Sequence, residues 1–270
     1  MKLTYEISEL IPYINWPYFF FAWQVKDPAE KDRLRKEADG LLAQLEGKYR
    51  AYAIFELFDA NADGDDIIVF RGEKGEVRGE RIPCLRQQQG NSPYLCLSDF
   101  LRPLSSGVED RVGTFATSVD IGMETDFDAD PYQKMMVQLL ADRLAEAAAE
   151  RMHEQVRKTY WGYAKDENLS IAEMLVEKFQ GIRPAIGYPS LPDTSLNFIL
   201  NDLLDMKQIG IRLTESGAMK PHASVSGLMF AHPQARYFNL GKIGEDQLQD
   251  YAHRRGLPLE LMRKFLAANF

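Results

Sequence analysis

Met136, Leu140, Leu144, Ala148, Met152 and Val156 recur every four residues. Residues at that spacing share one face of an α-helix, so 130–159 reads as a long helix with one apolar stripe. The stretch before it carries a different signal. AYAIFELF at 51–58, DIIVFRG at 66–72 and RVGTFATSVDIG at 111–122 are rich in strand-forming residues, and NADGDD between the first two is a turn-forming run. The middle of the chain therefore supplies a sheet, largely antiparallel. Residues 28–50 are helical, with Leu34, Ala38, Leu41, Leu42 and Leu45 on one face. Residues 170–179 and 194–208 are further helical stretches. GIRLTES and SVSGLMF follow as strand-like runs, and GEDQLQDYAHRRG and LPLELMRKFLAANF read as closing helices. In the opening 25 residues Pro12 and Pro17 interrupt an aromatic cluster, which reads as a turn and a short buried piece. Strands and helices come in blocks and do not alternate, which favours an α+β fold over a doubly wound sheet.

Composition excludes several functions. The net charge is −8, the wrong sign for a protein that binds nucleic acid or an anionic membrane through bulk charge. The apolar run PYFFFAW at 17–23 is too short to span a bilayer. Lys2 is followed by no long apolar run of the signal-peptide kind. Cys84 and Cys96 form no CxxC pair, and no His/Cys spacing suits a metal. Reduced thiols, a cytoplasmic setting and no bound metal are the expectation. DANADGDD at 59–66 begins like a calcium loop, but the twelfth position, where a bidentate acid is needed, is Phe70. HEQVR at 153–157 lacks the second histidine of a zinc helix. Serine-elbow and glycine-rich phosphate motifs do not occur.

GIRPAIGYPSLPD at 181–193 stands apart. Three prolines fix the backbone and remove donors, while Gly187 permits a positive φ or a close approach. Such a segment suits the presentation of main-chain groups to a small ligand, or serves as a rigid connector. RPAIGYP resembles the RPAxGYP signature of the activation domain of cobalamin-dependent methionine synthase. YINWPYFFFAW at 13–23, ANADGDDI at 60–67, the run 140–170, MKPHASVSGLMFAHPQARYF at 219–238 and DYAHRRG resemble that family too, in the same order. The resemblance implies a single activation domain over 1–270, with a bent, mainly antiparallel sheet flanked by helices.

It also implies a ligand, S-adenosylmethionine, and a set of contacts: Asn15, Glu146, Arg183, Ala185, Gly187, Tyr188, Tyr237 and Phe238. Those residue types suit that chemistry. A guanidinium can hold the methionine carboxylate with two parallel hydrogen bonds. Tyr188 or Tyr237 can stack on adenine or face the sulfonium. Main-chain groups near Ala185 and Gly187 can read the adenine edge, and Glu146 offers a counter-charge. Asn15 departs from the family's aspartate, keeping an acceptor but losing a charge. Leu191 and Thr194 stand where Cys and His are common in the family.

By resemblance the chain is a reactivation module for reductive methylation. It acts with a cobalamin-carrying methionine synthase subunit and a flavodoxin-like reductant, and is not a complete enzyme alone. The task is orientation, so no catalytic residue or general base is expected. The basic residues Arg151, Arg157 and Lys158 can receive an acidic reductant or simply form a solvated helix face. An activator of another corrinoid methyltransferase and a non-catalytic ligand sensor are the alternative readings.

Overall fold

A computed structural model describes residues 1–71, 78–90 and 92–270. The strands are β1 (Lys2–Tyr5), β2 (Ala51–Asp63), β3 (Asp66–Arg71), β4 (Arg78–Pro83), β5 (Asp110–Val119), β6 (Arg212–Leu213), β7 (Met219–Lys220) and β8 (Ser224–Met229). The α-helices are α1 (Ile7–Leu10), α2 (Trp16–Ala22), α3 (Pro28–Leu45), α4 (Gly122–Thr125), α5 (Pro131–Gln155), α6 (Ile171–Leu175), α7 (Leu196–Leu204), α8 (Glu245–Arg255) and α9 (Leu259–Phe265).

The main sheet runs β4-β3-β2-β5-β8, every neighbour antiparallel. β2 is long enough to serve two partners along one edge. Its start pairs with β1, Lys2 opposite Ile54, and its end pairs with β3, Asp63 opposite Asp66. The NADGDD run tightens to a two-residue hairpin at Gly64 and Asp65, with Gly64 at φ +61°. Gly72, the end of the expected second strand, lies outside the described residues.

Side chains alternate across a strand, and here both faces are covered. Ala53, Phe55 and Phe115 point to α5; Ile54, Phe58, Val112 and Ala116 point to the core that α7 closes. That double burial is why AYAIFELF reads as nearly continuous apolar sequence. On α5 the expected stripe is buried, and Ala141, Ala145 and Ala149 are buried beside it. Small residues let the helix sit close: Thr117 Oγ1 donates to the Ala145 carbonyl at 2.9 Å. Truncating Leu140 or Leu144, both fully buried, to alanine would cost about 2–5 kcal/mol.

Helix α5 starts where Asp130 accepts from the Tyr132 and Gln133 N–H groups, with Pro131 in the first turn. It ends in a π-helical turn, Val156–Tyr160. The N-terminal 25 residues differ from the sequence reading: β1, α1 and α2 are regular, and Pro17 opens α2. Proline is tolerated there because first-turn N–H groups have no helical acceptor. No helix among the described residues is long and apolar enough to cross a membrane.

Candidate functional site

The segment 181–191 lies along the outer edge of β8 and bonds to it as a strand would. Ile182 and Phe230 exchange N–H···O bonds at 3.0 Å, Leu228 N–H donates to Pro184 O at 3.0 Å, and Ile186 N–H donates to Ser226 O at 2.9 Å. The approach depends on Gly227. A Cβ there would lie 2.2 Å from Pro184 O and 2.9 Å from Ala185 Cα. The segment then turns: Tyr188 N–H donates to Ala185 O, and Gly187 holds φ +88° at the third position, where a type II turn needs glycine. Gly187 N–H is bonded to Leu191 O at 2.8 Å.

The turn walls a cavity of about 650 Å³, a size suited to a small organic ligand. Tyr13, Asn15 and Tyr18 close one side. Arg143, Glu146, Ala149 and Glu150 of α5 form the floor, with Leu175 and Glu177 at the end of α6. Residues 183–185 and 188–190 and Tyr237–Asn239 complete it. Seven of the eight residues expected from sequence line this cavity: Asn15, Glu146, Arg183, Ala185, Tyr188, Tyr237 and Phe238. Gly187 does not; it shapes the turn that carries Tyr188. Sequence reasoning missed Arg143 and Glu150, although they sit three before and four after Glu146 and so share its helix face. It missed Glu177, for which no local signal exists.

Arg183 is the best-fixed side chain. Its Nη2 donates to Glu150 Oε1, its Nη1 lies 3.1 Å from His153 Nδ1, and its backbone N–H donates to Tyr237 Oη at 2.9 Å. Burial opposes its charge, but Glu150, Tyr237 and Glu177 outweigh that and raise its pKa. Burial lifts the Glu146 carboxyl, against the pull of Arg143 at 2.9 Å. Burial lifts Glu177 as well, against Arg183. The Tyr188 hydroxyl lies 3.5 Å from Glu146. Asn15 precedes α2 without capping it, so its amide is left to the cavity.

Glu177 takes φ +60°. Its N–H donates to Met174 O, and the Lys178 N–H donates to Glu173 O. This is the Schellman ending of α6, with glutamate where glycine is usual. It cuts the helix short of the expected 170–179. The Glu177 carboxylate has no hydrogen-bond or ion-pair partner among the described residues. Two arginines and three glutamates thus line the cavity, an excess of one negative charge. The arrangement can hold a ligand with a carboxylate at Arg183, cationic groups near the glutamates and an aromatic group against Tyr188, Tyr237 or Phe238.

Arg157 is fully buried and bound to Glu167, while Arg151 and Lys158 both pair with Glu154. They form no free basic patch, because each cation is paired with a carboxylate, Arg151 and Lys158 sharing Glu154. No acid or His/Cys group suited to a metal occurs among the described residues, and Asp63, Asp65 and Asp66 are taken by Arg81 and Arg86. Cys84 and Cys96 are buried, free thiols.

The family model described as vitamin B12 dependent methionine synthase, activation domain, matches residues 6–256. A crystal structure of the MetH reactivation domain bound to AdoHcy superposes with a TM-score of 0.93 at 40% identity, covering 100% of this chain and 90% of that one. Fold and sequence agree over nearly the whole length: the chain belongs to the activation-domain family of vitamin B12-dependent methionine synthase.

Proposed function

We propose that the cavity binds S-adenosylmethionine and that the chain, as one domain, serves the reductive methylation of a cobalamin carried by a methionine synthase partner. The observation that carries this reading is the convergence of seven residues from four separate stretches of the sequence on one cavity around the fixed guanidinium of Arg183. The relative bound to AdoHcy, the demethylated form of that ligand, supports it.

The donor set fits the ligand. Arg183 keeps N–H groups beyond those given to Glu150 and His153, and these can hold the methionine carboxylate. Glu146 and Glu177 offer negative charge to the ammonium and sulfonium. The rings of Tyr188, Tyr237 and Phe238 can pack on adenine, and the main chain at Ala185 can read its edge. S-adenosylmethionine carries net charge of about +1 at neutral pH, and its demethylated product is neutral overall. A cavity one charge negative favours the methyl donor over the spent product.

The partner's cobalamin supplies the nucleophile that accepts the methyl group, and a flavodoxin-like donor supplies the electron. The chain's own contribution is to hold the ligand so that its methyl faces the mouth, where Tyr188 is 53% exposed and Tyr18 59%. No side chain is needed as acid or base.

Calorimetry tests the binding step. Saturable binding of S-adenosylmethionine is expected, lost in Arg183→Ala. No heat at ~1 mM ligand, a free energy weaker than about −4 kcal/mol, would overturn the reading. Reactivation is then measured by adding the chain to a cobalamin-loaded methionine synthase lacking this domain, with a flavodoxin system and methyl-labelled S-adenosylmethionine.

A further inference from the structure

His153 is fully buried, yet no part of the binding reading uses it. It lies on the same face of α5 as Glu146 and Glu150, with Arg157 one turn on. Two cations converge on one of its nitrogens: Nδ1 is 3.0 Å from Arg157 Nη1 and 3.1 Å from Arg183 Nη1. Guanidinium N–H groups only donate, so Nδ1 must accept from both. The ring is then neutral, with its proton on Nε2, which faces the Tyr163 hydroxyl at 3.4 Å. That hydroxyl in turn donates to Gln180 O at 3.3 Å. The edge of Phe179 closes the remaining side, ring centres 5.0 Å apart.

The two arginines are provided for differently. Arg157 is fully buried, and Glu167 binds it through both carboxylate oxygens. Its guanidinium also lies 4.2 Å over the Phe179 ring. Arg157 therefore forms a rigid wall behind His153. Arg183 opens on the cavity and pairs with Glu150 through a single carboxylate oxygen.

We propose that His153 is a positioning residue for the candidate site: a neutral acceptor wedged between two guanidinium groups, it fixes the Arg183 fork toward the ligand carboxylate without neutralising it. The chemistry selects this residue type. An acidic side chain in the same place would pair with Arg183 and compete with the ligand. An aliphatic one would leave the Nη1 groups of two buried cations facing each other with no acceptor between them. Burial, Arg183 and then Arg157 all push the His153 pKa down, in keeping with the neutral form.

The inference rests on Arg183 as the carboxylate anchor, so the test separates the two. S-adenosylmethionine binding to the full chain is measured for the natural protein, His153→Leu and His153→Asn. Leucine fills the space without an acceptor, whereas the asparagine carbonyl can replace Nδ1. Loss of a hydrogen bond to a charged group predicts at least ~10-fold weaker binding for His153→Leu. His153→Asn should recover to within ~3-fold of the natural protein. Natural affinity in His153→Leu, or equal losses in both variants, overturns the proposal. A second readout needs neither ligand nor the leucine variant. Nitrogen-15 spectra at neutral pH should show His153 with its proton on Nε2 alone and the Arg183 guanidinium in slow rotation. A doubly protonated ring or a freely rotating guanidinium overturns the proposal. Failure of the natural protein to bind overturns the binding reading instead.

Discussion

A Cβ on Gly227 would lie 2.2 Å from the carbonyl oxygen of Pro184, closer than any side chain can approach. Gly227→Ala must therefore push the 183–188 segment off β8 or bend the strand. We expect a loss of about 1–3 kcal/mol in stability and a larger relative loss of ligand affinity, because Arg183 and Tyr188 ride on that segment. Thermal unfolding and calorimetry check both; unchanged affinity would refute the coupling.

Glu177 sets stability against binding. Its left-handed backbone disfavours any residue with a Cβ, so Glu177→Gly should stabilise the fold by about 0.5–1 kcal/mol. The same change removes a cavity carboxylate and should weaken S-adenosylmethionine binding. Glu177→Gln keeps the backbone cost and should weaken binding alone. A melting temperature that falls in the glycine variant would count against this account.

Asn15→Asp adds a negative charge to a cavity already one charge negative. S-adenosylmethionine should bind ~3–10-fold tighter at low salt, with less gain at high salt. The demethylated product lacks the sulfonium and should gain less. Equal gains for both ligands would show that the added charge meets the ammonium only.

His153 gives the fold an acid-sensitive centre. Its pKa in the folded chain lies well below the ordinary 6.5. The unfolded chain therefore takes up a proton first, and stability falls as the pH drops below about 6.5. The slope from this one group is about 1.4 kcal/mol per pH unit. Glu146, Glu177 and Asp142 have raised values and act in the opposite sense as they take up protons. Denaturant titrations between pH 7 and 5 should show a shallower pH dependence for His153→Asn than for the natural protein.

Asp193 ties helix α8 to the segment that walls the site. Only 1% exposed, it accepts from Tyr251 Oη at 2.8 Å, Arg255 Nε at 3.2 Å and Ser195 Oγ at 2.6 Å. Asp193→Ala leaves Arg255 buried and unpaired, a loss of about 3–5 kcal/mol. Unfolding monitored in denaturant would reveal it; a change under 1 kcal/mol would mean that water replaces the carboxylate.

Local periodicity carried the central architecture. The stripe from Met136 to Val156 and the runs in β2, β3 and β5 were legible because each buries a face in step with its own repeat. β1 and β4 were not: KLTY and RGERIP are short or charged, and become strands through pairing with β2 and β3. Arg157 looked like a surface cation because its partner Glu167 is ten residues away, across the loop. Seven of the nominated cavity residues came from a resemblance. From the residues alone, the 181–193 run read equally well as a connector. Glu177 was invisible, since nothing in EKFQGIR tells that a glutamate will adopt a glycine's backbone.

Helix α5 buries its apolar stripe against the sheet, turns Glu146 and Glu150 toward the candidate ligand and sets His153 behind Arg183. One rigid element is thus both the spine of the core and a wall of the pocket. Its central amides should exchange with solvent only when the whole domain opens. Ligand occupancy should therefore slow exchange along the entire helix, as far as Met136, and deuterium uptake there becomes a gauge of an event at the far end.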